Sequence, residues 1–170
     1  MDKNFKQLLD AYLAENFVEE SPPRARKIFS QSRKYCQMKF SLEPLKKINF
    51  DKIFAENEGE TFSEMLMRLV KESGEKNSAI YNRAQVDRQL FSRIKKNKNY
   101  KPRKDTAIAF ALALKLDFER AKELLAVAGY ALTRSKRDLI IKFFIEQEIF
   151  DTALLNDYLH EYTQTILFGR

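Results

Sequence analysis

The sequence predicts an all-α protein: a compact bundle of short helices with an N-terminal helical and basic extension. Three observations lead there. Of the 170 residues, 44% are apolar, enough for one good core. Four Gly and four Pro are few punctuation marks for a chain of this length, and strand signals are sparse. Long stretches of Leu, Ala, Ile, Lys and Glu dominate instead, with apolar residues at helical spacing.

The first element is a helix over residues 4–17. Phe5, Leu8, Leu9, Tyr12, Leu13 and Phe17 recur on one face, with Lys6, Asp10 and Glu15 opposite. Ser21-Pro22-Pro23 breaks the pattern. Arg24 to Lys39 then holds six basic residues and no acid, with Phe29, Tyr35 and Phe40 interleaved. This reads as a solvated linker or basic helix face, or as an arm that touches phosphates or an acidic partner. Leu42, Leu45, Ile48, Phe50, Ile53 and Phe54 are too apolar for a disordered tether and predict a short docked helix. Residues 1–60 thus form an amphipathic helix plus a basic, Pro-containing linker.

Helices follow in close order. Thr61 or Ser63 caps one that runs through Glu72, turning Phe62, Met65, Leu66, Leu69 and Val70 inward, and Ser73-Gly74 stops it. Asn77 or Ser78 opens the next, which ends near Ala84 at a Gln85-Val86 turn. Asp87 caps a helix from Arg88 to about Asn97, with Leu90, Phe91 and Ile94 facing inward. A Pro-containing loop leads to Lys104 or Asp105 and the segment TAIAFALALKL, apolar almost all round and therefore central. Asp117 caps FERAKELLAVA, which Gly129 ends. Ser135 to Gln147 and Thr152 to about Gln164 make two more helices.

Charge is distributed unevenly over these elements. The formal net charge is +7. Residues 1–60 carry 11 basic and 10 acidic side chains, and the remainder carries 20 and 14. Between Arg83 and Lys104 there are nine Lys or Arg against a single acid, Asp87. A local cationic face of this kind fits an anionic polymer better than general basicity would.

The order and lengths of these helices resemble the Xre, or lambda-repressor-like, helix-turn-helix domain. FSEMLMRL, AIYNRAQVDRQLFSRIKKN, YKPRKDTAIAFALAL, LLAVAGYAL and DLIIKFFIE look more narrowly like the helix-turn-helix module often fused behind a bacterial macrodomain. That likeness spans Thr61 to Gly169, about two-thirds of the chain. The sixty residues before it are too few for a macrodomain. The resemblance makes 61–170 a helix-turn-helix domain with extra C-terminal helices. It implies that the helix from Arg88 enters the major groove of duplex DNA. Arg88, Gln89, Ser92, Arg93 and Lys96 are then the base-contact candidates, since Arg suits a guanine edge and Gln an adenine edge. Asn77, Lys95, Lys98, Tyr100, Lys101, Arg103 and Lys104 are the phosphate-contact candidates. Two positions depart from the family pattern. Tyr81 stands where a small residue usually marks the helix crossing, and is expected to push the helices apart or tilt them unless its ring swings outward. Gln85 stands in a turn that commonly holds Gly.

Other chemistries are not expected. His160 is the only histidine and Cys36 the only cysteine, so neither a metal site nor an internal disulfide is predicted, and a reducing cytoplasm suits the lone thiol. Glu146, Glu148, Asp151 and Asp157 read as the wet face of a helix pair rather than a carboxylate site. No phosphate loop, nucleophile elbow or zinc signature is present, so no catalysis and no cofactor are expected. No signal pattern and no apolar run long enough to span a membrane is read. The sequence therefore predicts a cytoplasmic, bacterial, non-catalytic regulator or accessory factor that binds duplex DNA. A homodimer could form through the apolar C-terminal helices or helix 4–17. The alternative is a protein-interaction adaptor that keeps the fold without reading DNA, docking a partner from the same stress or phage-defence operon.

Overall fold

The computed structural model describes residues 3–17 and 59–167. By its internal contacts the chain divides into residues 1–17 with 60–170, and residues 18–59. The expected proline break, the basic stretch 24–39, Cys36 and the apolar segment 42–54 lie outside the described residues.

The described residues form eight α-helices and no strand. In chain order they are α1 (Lys3–Asn16), α2 (Phe62–Glu72), α3 (Asn77–Arg83), α4 (Arg88–Lys96), α5 (Lys104–Ala113), α6 (Phe118–Val127), α7 (Lys136–Glu146) and α8 (Thr152–Thr163). The predicted all-α class is what the chain adopts.

The caps explain the boundaries. Thr61 heads α2 in a capping box, its hydroxyl accepting from the Glu64 N–H while the Glu64 carboxylate accepts from the Thr61 N–H. Asp87, Asp117, Ser135 and Asp151 each accept from a backbone N–H in the first turn of α4, α6, α7 and α8. Four of the helix ends share another device. After α3, α5, α6 and α7, a left-handed residue is followed by an apolar one: Gln85-Val86, Lys115-Leu116, Gly129-Tyr130 and Glu148-Ile149. In each, the apolar residue's N–H reaches back to a carbonyl of the last turn, as Val86 does to Tyr81 at 2.9 Å. The turn between α3 and α4 therefore has its positive φ, 52°, at Gln85 and does without glycine.

The core is built around α5. Ala107 through Ala113 are buried without a break, and α3 and α6 pack on this helix. Helix α2 packs on α4 and α6, and α6 in turn packs on α7. On α4, Phe91 and Ile94 are buried and Leu90 is half-buried. Tyr81 neither swings out nor separates the helices. Its half-buried ring sits 5.6 Å from that of Phe91, centroid to centroid, where α3 and α4 remain packed.

Helix α1 belongs with this bundle, docking on α7. Phe5 meets the rings of Phe143, Phe144 and Tyr158 edge-on at 5.1–5.7 Å. Two details differ from the sequence reading. Leu8, expected to face inward, is 62% exposed. Lys6 and Asp10, expected on the wet face, reach α8 instead: Lys6 pairs with Glu161, and Asp10 accepts from the Tyr162 hydroxyl. The docked stripe is displaced from the simple apolar face because α1 is seated by polar contacts at its flank as well as by its rings.

Candidate nucleic-acid interface

Helix α4 separates its residues by spacing. With Leu90, Phe91 and Ile94 turned to the core, the 100° step places Arg88, Gln89, Ser92, Arg93 and Lys96 on the outward face. Arg88, Gln89, Arg93 and Lys96 are exposed and Ser92 is half-buried. Asp87 fixes where this face begins, its Oδ1 accepting from the Leu90 N–H at 2.7 Å. All five base-contact candidates thus share one surface.

The phosphate-contact candidates divide. Lys95 on α4, and Lys98, Lys101 and Arg103 in the loop after it, are exposed. Lys98 Nζ lies 3.0 Å from Glu64 Oε1. The Thr61 N–H and then Lys98 hold that carboxyl down at about 2. Tyr100 is half-buried against the core and Asn77 is exposed at the start of α3. Lys104 is turned inward. Its Nζ donates to Asp138 Oδ2 at 2.6 Å, and Asp138 is buried. It therefore anchors α5 to α7, because its charge is already satisfied by a carboxylate away from solvent.

Among the described residues, Arg88, Arg93, Lys95, Lys96, Lys101 and Arg103 make no ion pair with a carboxylate. Several cations on the bundle's other faces do. Arg68 bridges Glu60 and Glu72, Arg83 holds Glu75, Arg120 reaches Glu72, and Arg137 reaches Asp105. Six uncompensated positive charges on nine helical residues and their loop form a strong local field.

One contributor was not read from the sequence. An open depression of about 430 Å³ lies between the end of α2, the start of α3 and α4, with Lys71 and Lys95 both on its lining. Glu75 also lines it, but Arg83 claims that carboxylate through two nitrogens at 3.1 and 2.6 Å. Lys71 extends the cationic surface across α2. It sits outside the charge-rich run, so only its helical phase relative to the core could have marked it.

Among the described residues, no three of His, Cys, Asp and Glu gather closely enough to hold a metal ion. His160 is exposed on α8. Of the four C-terminal acids, Asp151 caps α8, Glu146 accepts from the Tyr12 hydroxyl, and Glu148 and Asp157 are exposed. No helix among the described residues is long and apolar enough to cross a membrane. The chain matches no protein-family model, no curated protein and no solved structure.

Proposed function

We propose that the protein is a cytoplasmic, non-catalytic DNA-binding regulator or accessory factor of the helix-turn-helix kind, with α4 as the helix laid in the major groove. The observation that carries this reading is the outward face of α4 and its following loop, where Arg88, Arg93, Lys95, Lys96, Lys101 and Arg103 make no ion pair with a carboxylate among the described residues. A stripe of Arg88, Gln89, Ser92, Arg93 and Lys96 has the donors that base edges accept. Lys71, Lys95, Lys101 and Arg103 flank it where the sugar–phosphate backbone would run. The two departures from the Xre pattern do less damage than their residue types suggest. Gln85 takes the left-handed conformation that the turn needs. Tyr81 packs inward, so the face of α4 is left clear of its ring.

The test is a titration of labelled mixed-sequence duplex and of genomic fragments with the wild type and with Arg88→Ala, Arg93→Ala. Both arginines are exposed, so folding should be unaffected. Affinity should fall about a hundredfold, as loss of two arginine contacts implies. Unchanged affinity in the double variant would remove α4 from the interface.

A further inference from the structure

Among the described residues, Ser63 and Asp138 are the two buried polar side chains, each 3% exposed. They come from different helices, α2 and α7, yet they act on the two ends of one loop. Where α4 stops, Ser63 Oγ donates to the Asn97 carbonyl at 2.8 Å. Where α5 starts, Asp138 Oδ2 accepts from Lys104 Nζ at 2.6 Å, and also from the Thr133 N–H and hydroxyl at 2.7 Å. Between these ends, the Tyr130 hydroxyl donates to the carbonyl of Pro102 at 3.1 Å, and Pro102 is itself buried. Within the loop, the Asn97 side chain accepts from the Asn99 N–H, and its carbonyl from the Tyr100 N–H.

Buried hydroxyls and carboxylates cost stability unless satisfied, and water serves a surface loop's carbonyls equally well. Three side chains from separate elements nevertheless converge on residues 97–104. We propose that Ser63, Tyr130 and Asp138 are positioning residues. They hold loop 97–103 in the one shape in which Lys101 and Arg103 can meet the sugar–phosphate backbone. The inference rests on the DNA-binding reading above. A loop ordered beforehand loses little freedom on binding, so its contacts appear more fully as affinity. The hydroxyls touch no phosphate themselves. They act through the backbone from which the cations project.

Ser63→Ala and Tyr130→Phe test this, since each deletes one hydroxyl and leaves every charge in place. With a mixed-sequence duplex at fixed salt, each should weaken binding about five- to tenfold, as loss of one organising hydrogen bond implies. The slope of log K against log salt should stay at the wild-type value, because no phosphate contact is removed. Lys101→Ala should lower that slope by about one. Amide exchange at Asn99 and Tyr100 should quicken in both hydroxyl variants while α5 keeps its protection. Ser63→Thr, which retains the hydroxyl, should restore both readouts. Wild-type affinity and exchange in Ser63→Ala and Tyr130→Phe would overturn the positioning role and leave the DNA reading intact. A slope change like that of Lys101→Ala would overturn it too. A wild-type protein that binds no duplex would overturn both.

Discussion

Lys104 and Lys101 are three residues apart and fare oppositely. On the α5–α7 side, Lys104 and Arg137 are each matched to an aspartate, at 2.6 and 2.7 Å, and one of those aspartates is buried. On the α4 side, Arg88, Arg93, Lys95, Lys96, Lys101 and Arg103 have no carboxylate within pairing distance among the described residues. Neutralised charges hold helices together and leave little field outside. Uncompensated ones repel each other in the free protein and gain most when an anion arrives. Similar residue types therefore do structural work on one side and stay unpaired among the described residues on the other. The division falls within the loop that joins α4 to α5.

The comparison breaks most visibly at Asp138. Asp138→Asn should lower stability by about 3 kcal/mol, because it strands a half-buried Lys104 without its partner. Chemical denaturation would show the drop as an earlier midpoint. The acid limb offers a second check. Burial works to raise the Asp138 carboxyl, but hydrogen bonds from Lys104 and Thr133 outweigh it and hold the group below its usual range. Its contribution is thus fully present above the unfolded carboxyl value of about 3.9, and is lost as pH falls through the lower folded value. Asp138→Asn should remove that part of the acid destabilisation.

Next in size is Arg88→Ala with Arg93→Ala, the counterpart on the open side. Here affinity for duplex should fall about a hundredfold, while the denaturation midpoint holds within error, since both side chains are exposed. Asp87→Ala should cost about 1 kcal/mol, by loss of the cap at the start of α4, measured by the same denaturation. The smallest effect belongs to Gln85→Gly. It relieves a left-handed side chain at φ 52°, worth about 1 kcal/mol, but gives back much of that as unfolded-chain entropy. The net shift should lie within about 0.5 kcal/mol of zero. A large loss would mean that the Gln85 contact to the Thr152 hydroxyl, at 3.3 Å, ties the turn to α8 more tightly than its exposure suggests.

The helices were legible because their caps are. Asp87, Asp117 and Ser135 announce themselves by residue type and by the apolar period that follows. Gly129 marks its helix end in the same way. Gln85, Lys115 and Glu148 do not, since these are ordinary helix formers forced left-handed by the tertiary fold. The readable trace is the apolar residue after each, which swings back to cover the last turn. The outward stripe of α4 followed from spacing alone. The fate of Lys104 did not, because Asp138 is distant in sequence and only folding brings the two together. Lys71 was missed for a related reason: its position beside Lys95 depends on how α2 and α4 pack. Helix α1 was half legible. Its aromatic residues marked a docking face, while the polar contacts of Lys6 and Asp10 with α8 left no mark in the periodicity.

The salt dependence of duplex binding tests the central claim most directly. A surface using the α4 face and its loop as a phosphate path should lose affinity linearly in log K against log salt, with a slope of roughly −4 to −5 if about five phosphates are neutralised. Lys101→Ala with Arg103→Ala should make the slope shallower by about two and lower the affinity at every salt concentration. A wild-type protein with no measurable duplex binding at low salt, or one whose slope ignores the double substitution, would contradict the assignment of α4 and its loop as the DNA-binding surface.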